Sequence, residues 1–244
     1  MEPSPMARQL QKTRLMMYAT FGVTEALGVV AVFLVLNWVV HSLGGFAWDG
    51  SSQQFNWHPF LMVTAFAFLM GNSLVLYRVF YFLDKKVAKV AHSAIHTASL
   101  VCIMLALYAV IDNHNQSNTN NMYSLHSWIG MTTCVLFFLQ LVFGFAAYLV
   151  PQFPESIKAN MMPIHRFMGT LIFCMGIASI ISGITEKAIF TYAGEYQHLP
   201  GWSVEANLLG LAVALYAVGI GILVTNPSFS REDNIAQMWE NLND

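Results

Sequence analysis

Charged side chains are scarce in this sequence. Asp, Glu, Lys and Arg together make up 10% of its 244 residues, whereas soluble domains carry about a quarter. Hydrophobic residues make up 56%. A chain of this composition cannot cover its surface with polar groups, which excludes a soluble domain and indicates a protein whose solvent is lipid. The net charge of −2 gives no reason to expect a nucleic-acid partner.

Cysteine is also rare, and no cysteine lies in a loop. All three, Cys102, Cys134 and Cys174, fall inside apolar runs of the sequence. This placement argues against a disulfide framework.

Six apolar runs are long enough to cross a bilayer, for which about 20 residues are needed. The runs are 15–40, 59–79, 90–111, 127–150, 164–184 and 204–225. Polar or turn-rich segments separate them. The sequence therefore predicts an all-α fold, a single six-transmembrane helix bundle over residues 15–226. Short tails are expected at 1–14 and 227–244.

Cations are nearly absent from one side of this predicted bundle. If the spans alternate in direction, Lys187 is the only lysine or arginine on that side. The other side holds the remaining ten: Arg8, Lys12, Arg14, Arg78, Lys85, Lys86, Lys89, Lys158, Arg166 and Arg231. Since Lys and Arg accumulate on the cytoplasmic side, both termini are predicted to be cytoplasmic.

Five of the six tryptophans fall near the opposite, outer interface of the predicted bundle. They are Trp38, Trp48, Trp57, Trp128 and Trp202. Such a cluster predicts an aromatic belt that faces the membrane.

Four histidines begin four successive spans, the second to the fifth. His58, His92, His126 and His165 are separated by 34, 34 and 39 residues. Even-numbered spans enter from outside, so His58 and His126 are predicted at the outer level of the bilayer. His92 and His165 are predicted at the inner level.

Two neutral imidazoles on facing helices can supply both axial ligands of a six-coordinate haem iron. Imidazole also suits copper, zinc and nickel, so the residue type alone leaves these metals open. No carboxylate adjoins the four histidines within the spans, which weakens a zinc or di-metal carboxylate site. His96 is an alternative to His92, since residues i and i+4 share a helix face. The even spacing favours His92 and places His96 one turn deeper.

Four motifs resemble the cytochrome b561 family of ascorbate-dependent transmembrane electron carriers. They are His58-Pro59 and the runs 76–80, 123–128 and 162–165. The motifs occur in order on the appropriate helices, and the similarity extends from the first span to the sixth. The resemblance implies two haem b groups per chain, an outer one bound by His58 and His126 and an inner one bound by His92 and His165.

The resemblance also implies the residues of two substrate sites. On the cytoplasmic side the family has basic residues that bind ascorbate and haem propionate, at the positions of Arg78, Lys85, Lys89 and Lys158. At the last of these the family often has arginine. Lys85, Lys89 and His92 also share one helical stripe, which places two ammonium groups directly below the inner histidine. A cationic mouth of this kind would bind the ascorbate monoanion.

On the outer side the resemblance implies that His114, Asn121 and Tyr123 hold the second substrate. Further residues are implied to line the haem: Asn121, Met122, Tyr123, Ser124 and Glu186. Composition alone would describe the segment around Asn121 as an ordinary Asn-rich turn.

The expected function is therefore electron transfer from cytosolic ascorbate, through two haems b, to monodehydroascorbate or a ferric complex outside or in the lumen. The expected location is a vesicle, endosomal, lysosomal or plasma membrane. Further expected partners are membrane lipid and a second copy of the chain in a homodimer.

Two alternatives remain open on sequence alone. A histidine-lined divalent-metal transporter without haem would need ligands near the bilayer midplane and carboxylates among the spans, where only Glu25 and Glu205 occur. A non-catalytic membrane scaffold would need no cofactor.

Overall fold

The computed structural model describes residues 5–150 and 153–231. Within these ranges every regular element is helical. The elements are α1 (Pro5–Asn37), a π-helical turn (Trp38–Ser42), α2 (Ser52–Phe55), α3 (Trp57–Met62), a π-helical segment (Val63–Leu69), α4 (Met70–Val79), α5 (Lys85–Gln116), α6 (Leu125–Tyr148), α7 (Glu155–Tyr192), a 3-10 turn (Ala193–His198), α8 (Gly201–Thr225) and a final 3-10 turn (Pro227–Phe229).

Six of these helical stretches are long and apolar enough to cross a membrane. They are Pro5–Ser42, Ser52–Val79, Lys85–Gln116, Leu125–Tyr148, Glu155–His198 and Gly201–Thr225. The predicted all-α fold with six spans is therefore confirmed.

Several helices extend well beyond the apolar runs that predicted them. α1 begins at Pro5 rather than at residue 15, and its 33 residues measure about 50 Å at 1.5 Å per residue. The hydrocarbon core is only about 30 Å thick, so polar turns of α1 project beyond it. Most of the predicted tail at 1–14 thus belongs to α1. The tail at 227–244 lies outside the described residues from position 232 onward.

Polar side chains fix where the central helices begin. Ser124 caps α6 through a reciprocal pair of hydrogen bonds with Ser127, and the Asp84 carboxylate accepts from the backbone N–H of Lys86 at the start of α5. Because the first N–H groups of a helix have no partner within it, such caps define the starting residue. Each cap begins a helix that carries a predicted ligand histidine, His126 on α6 and His92 on α5.

Hydrogen bonds between helix ends show the up-and-down arrangement. At one end the Tyr18 hydroxyl donates to the Val79 carbonyl at 3.4 Å, and Arg231 donates to the Leu83 carbonyl at 2.7 Å. We call this end, with Lys85, Lys89 and Lys158, the basic end. At the other end the Gln54 amide donates to Asp112 at 2.7 Å. We call that end, with Asp49, Asp112, Glu186, Glu195 and Glu205, the acidic end.

The tryptophans follow the predicted belt only in part. Trp48 and Trp128 are 50% and 64% exposed, as side chains in a membrane-facing belt would be. Trp38 is completely buried, because its indole N–H donates to the Tyr192 hydroxyl at 3.2 Å inside the bundle. The belt prediction was wrong for Trp38.

Candidate functional site

The four span-starting histidines meet in two pairs. At the acidic end the rings of His58 on α3 and His126 on α6 have their centres 6.1 Å apart. At the basic end the rings of His92 on α5 and His165 on α7 have their centres 6.2 Å apart. Each pair therefore joins two helices across the middle of the bundle.

This ring separation fits an iron porphyrin between the two rings of each pair. An iron–imidazole bond is about 2 Å long and the ring centre lies about 1 Å beyond the nitrogen, so two axial imidazoles have centres about 6 Å apart. Rings that faced lipid would not pair in this way.

At the acidic end, backbone carbonyls hold the outward nitrogen of each ring. The Nδ1 atom of His58 lies 3.3 Å from the Ala106 carbonyl oxygen, and Nδ1 of His126 lies 2.8 Å from the Ser179 carbonyl oxygen and 3.3 Å from the Ser179 hydroxyl. A ring that donates from Nδ1 keeps the lone pair of Nε2 for a metal.

At the basic end, side chains take part in the same role. Nδ1 of His92 lies 2.9 Å from the Ser73 hydroxyl and 3.1 Å from the Ser73 carbonyl. Nδ1 of His165 lies 3.0 Å from the Gln140 side-chain amide nitrogen, which also donates to the His165 carbonyl at 2.8 Å. All four Nδ1 atoms thus have a partner, and the carbonyl contacts of His58, His92 and His126 leave Nε2 of these three rings available.

These contacts form a reciprocal pattern between helices. The second span and α5 hold each other's histidines, and α6 and α7 do the same. On each helix the histidine precedes the residue that holds its neighbour's histidine by about four turns: His58 and Ser73, His92 and Ala106, His126 and Gln140, His165 and Ser179.

The spacing within this pattern is 14 residues on α5, α6 and α7 and 15 on the second span. The additional residue coincides with the π-helical segment Val63–Leu69, since a π-helical turn accommodates more residues than an α-helical turn. Fourteen residues of α-helix rise about 21 Å, so the two histidine pairs lie at that distance along the bundle.

Glycines let the helices pass close to the rings of His126 and His165. A Cβ atom on Gly183 would lie 2.5 Å from Cε1 of His126. A Cβ atom on Gly144 would lie 3.3 Å from Cε1 of His165. The closer approach is at the acidic end, where any side chain at position 183 would displace the ring.

A cavity of about 300 Å³ opens between His58 and His126 at the acidic end. All the outer residues that the resemblance implied lie on its wall: His114, Asn121, Met122, Tyr123, Ser124 and Glu186. Nδ1 of His114 lies 3.1 Å from the Asn121 side-chain oxygen. The structure brings these residues together, and their roles stay predictions.

Two further residues of this wall were missed by the sequence reasoning. The Lys187 ammonium lies 4.3 Å above the centre of the Phe55 ring, and both side chains line the cavity. The Phe55 ring is stacked 5.9 Å from His114. The sequence identifies Lys187 only as the lone outer cation. Its neighbour Glu186, which was predicted to line the outer haem, was the signal that could have pointed to it.

The predicted basic residues gather at the basic end. Lys158 forms an ion pair of 2.9 Å with Glu155, and the charges of Lys89 and Lys85 also act on this carboxylate. Lys89 donates to the Tyr148 carbonyl at 3.3 Å. The three lysines predicted to bind ascorbate therefore lie around one carboxylate near the start of α7.

Two arginines at the basic end connect the second span with the segment that follows α8. Arg78 donates to the Asn226 carbonyl at 2.7 Å. The Arg231 guanidinium lies 6.0 Å from the centre of the Tyr77 ring, and that ring lies 5.6 Å from His92. The sequence identifies Arg231 only as a charge, because nothing in it shows that α8 brings the residues after it back to His92.

His96 lies beside the basic-end pair and one turn deeper, as the sequence indicated. Its ring centre is 4.5 Å from that of His92 and 5.5 Å from that of Phe137. Its Nδ1 is buried and has no hydrogen-bond partner among the residues that the structure describes. His92 is the residue whose ring faces His165.

The carboxylates within the spans are engaged elsewhere. Glu205 accepts hydrogen bonds from Asn37 and Ser42, and Glu25 accepts one from Asn72 at 3.2 Å. No group of three or more His, Cys, Asp or Glu side chains that could hold a metal ion occurs within 5–150 and 153–231. This arrangement disfavours the divalent-metal transporter.

Comparisons with known proteins identify the family of the chain. The family model of eukaryotic cytochrome b561 matches residues 57–191, a segment that includes all four paired histidines. The plasma membrane ascorbate-dependent reductase CYBRD1 of Xenopus tropicalis is 39% identical over 208 residues, which cover 84% of this chain and 74% of the relative.

Two lysosomal relatives are similar over even more of their own length. The lysosomal membrane ascorbate-dependent ferrireductase CYB561A3 of Danio rerio is 38% identical over 224 residues, which cover 88% of this chain and 91% of the relative. For the human protein of the same name the identity is 36%, with coverage of 85% and 88%. The chain belongs to the eukaryotic cytochrome b561 family.

Proposed function

We propose that this chain is a transmembrane oxidoreductase that transfers electrons from ascorbate at the basic end to a ferric complex or monodehydroascorbate at the acidic end. The relatives are named as ascorbate-dependent reductases of plasma and lysosomal membranes. The observation that carries the proposal is the presence of two facing histidine pairs, with ring centres 6.1 Å and 6.2 Å apart, at opposite ends of one bundle.

The histidines would hold two haem b groups, His58 with His126 and His92 with His165. When bound, each haem supplies an iron that is reduced and reoxidised by one electron. The residues around it would orient the histidine rings through contacts with Nδ1 and surround the site with apolar side chains. Hydrogen bonding and burial of this kind set the reduction potential of a haem.

The distance between the pairs is suited to direct electron transfer. The pairs are about 21 Å apart along α5 and α7, and the edges of two porphyrins between them would approach to about half of that. Such a gap needs no protein side chain to change its oxidation state.

The donor site would lie at the basic end, among Lys85, Lys89 and Lys158. Ascorbate is a monoanion at neutral pH, and three ammonium groups around the start of α7 would attract and orient it. On binding, the anion would compete with Glu155 for Lys158. The excess of cations at this end favours a cytoplasmic orientation, so the donor would be cytosolic ascorbate.

The acceptor site would be the cavity at the acidic end. His114 and Asn121 present nitrogen and oxygen atoms within 3.1 Å of each other, and Tyr123 and Ser124 add hydroxyl groups on the same wall. An imidazole and an amide oxygen can bind the ligand shell of a ferric complex or the hydroxyl groups of monodehydroascorbate. His58 lies on this wall too, so the acceptor would be next to the outer haem.

A vesicle experiment tests this function. Purified protein is reconstituted into vesicles that enclose ascorbate, and ferric citrate outside is assayed for ferrous iron with an impermeant chelator. We expect ferrous iron to form only when both protein and enclosed ascorbate are present, and monodehydroascorbate outside to compete. Ferric reduction at the same rate in vesicles without protein, or failure of ascorbate to reduce the bound haem, would contradict the proposal.

A further inference from the structure

The ammonium group of Lys187 lies in the wall of the acidic-end cavity and has no anionic partner among the residues that the structure describes. It lies instead over the face of Phe55, 4.3 Å from the ring centre. A cation removed from water without an anion is costly, and a cation–π contact offsets only part of that cost.

The titratable groups around Lys187 are already engaged or are not anions. Glu186, the preceding residue, lies on the same wall as the Tyr123 hydroxyl, whose pKa is raised by burial first and by the Glu186 carboxylate second. Asp112 on α5 accepts hydrogen bonds from Gln54 and Gln116. His58 and His114, on the neighbouring helices, are imidazoles. Among the described wall residues, Lys187 is therefore the one positive charge without an anionic partner, and it is available to an anion in the cavity.

We propose that Lys187 is the carboxylate-binding residue of the acidic-end cavity. This inference rests on the proposed function and adds the charge of the ligand to it. The acidic end otherwise carries Asp49, Asp112, Glu186, Glu195 and Glu205, which repel anions. Lys187 would make this end selective for anionic acceptors, such as ferric iron bound by a carboxylate chelator, over cationic ones. The carboxylate that Lys187 binds could belong to the acceptor or to a propionate of the outer haem, since both groups have the same chemistry. The experiment below distinguishes these two sources.

The test variant is Lys187→Met, which keeps an apolar stem on Phe55 and removes the charge. Lys187→Arg keeps the charge, and Lys86→Gln removes an exposed lysine at the basic end as the matched control. Acceptors of opposite charge are compared, ferric citrate and hexaammineruthenium(III). Binding of gallium citrate, which resembles ferric citrate but is not reduced, gives a readout that does not depend on turnover.

If the carboxylate belongs to the acceptor, Lys187→Met raises the KM for ferric citrate and the Kd for gallium citrate roughly tenfold. The KM for hexaammineruthenium(III) stays within about twofold, and Lys187→Arg and Lys86→Gln resemble the wild type. If the carboxylate is a haem propionate, the KM values keep their ratio while the midpoint potential of the outer haem falls, since a nearby positive charge favours the reduced iron.

The inference is overturned if Lys187→Met, with both haems retained, changes neither the acceptor preference nor the outer-haem potential. Lys187→Gln takes its place if the methionine variant loses haem. Failure of this inference is distinguishable from failure of the proposed function. The proposed function predicts that ascorbate reduces the haems of the wild-type protein, and that prediction does not depend on the role of Lys187.

Discussion

The two histidine pairs are nearly identical in geometry and different in surroundings. Their ring centres are 6.1 Å and 6.2 Å apart, and every Nδ1 has a partner. The acidic-end pair contacts the carbonyls of Ala106 and Ser179 and the Ser179 hydroxyl, and it opens on a cavity of about 300 Å³. The basic-end pair is held partly by side chains, and aromatic rings crowd it: His96, Tyr77 and Tyr148 lie 4.5 Å to 5.6 Å from its two rings.

This difference distinguishes contacts that the backbone makes with the histidine rings from contacts that depend on the side chain at a given position. Helix packing brings backbone carbonyls to the rings of His58, His92 and His126 whatever side chain stands at those positions. At the basic end, the contact of Gln140 with His165 depends on a side-chain group that a substitution removes. We therefore expect the basic-end haem to be adjustable by mutation of its hydrogen bonds, and the acidic-end haem to respond to space and to the contents of its cavity.

The largest effect is expected from substitution of one histidine in a pair, which should remove one haem site and leave the other. His126→Ala and His92→Ala each delete one axial ligand of a different pair, so each variant should retain about half the haem of the wild-type protein. Haem per chain is measured from the pyridine haemochrome against protein concentration. His198→Ala, in an exposed turn, should retain all of it. Full haem content in either ligand variant would contradict the pairing.

Glycine substitutions should distinguish the two pairs by the space beside them. Gly183→Ala places a methyl group 2.5 Å from the His126 ring, whereas Gly144→Ala places one 3.3 Å from the His165 ring. We expect the first to weaken the acidic-end haem strongly and the second to have a small effect at the basic end, measured by haem retention on heating. Gly210→Ala meets nothing within 4 Å and serves as the control. Equal losses in both variants would argue against the close approach of α7 to His126.

Removal of cations at the basic end should affect the donor and not the acceptor. Lys85→Gln combined with Lys89→Gln should raise the KM for ascorbate roughly tenfold, since each charged hydrogen bond contributes about 1.5–3 kcal/mol when fully formed and less when exposed. The KM for ferric citrate should be unchanged. Lys86→Gln, on the exposed face of the same turn, is the matched control, and an equal rise in that variant would reduce the effect to general electrostatics.

The smallest effect concerns the Gln140 contact with His165. Gln140→Leu removes a hydrogen-bonding group 3.0 Å from Nδ1. A contact of about 0.5–1.5 kcal/mol corresponds to roughly 20–60 mV in a one-electron potential. We expect a redox titration to show a shift of this size in one haem only. Thr170→Val, which loses a hydroxyl bonded within its own helix, should leave both potentials in place.

The sequence was sufficient for the features that depend on composition and spacing. Six apolar runs predicted the six spans, and the matched positions of His58, His92, His126 and His165 predicted the two levels. The helix ends were less predictable, because polar turns of α1 and α7 continue past the apolar residues that identify a span.

The residues missed by the sequence reasoning depend on contacts between distant segments. Any residue offers a backbone carbonyl, so nothing marks Ala106 or Ser179 as the partner of a histidine. In the sequence, Lys187 resembles an ordinary helix-end lysine, because only the fold places Phe55 of α2 beneath it. Trp38 likewise resembles a belt residue, because only the fold places Tyr192 of α7 beside its indole. Side-chain patterns thus predicted which histidines pair, but they did not predict the contacts that support each pair.

The most direct test of the central claim is the haem content and ligation of the purified wild-type protein. Two histidine pairs of this geometry predict two haems b per chain, both low-spin with two imidazole ligands in electron paramagnetic resonance, and both reduced by ascorbate. A single haem per chain, or a high-spin iron that lacks its second imidazole, would contradict the account.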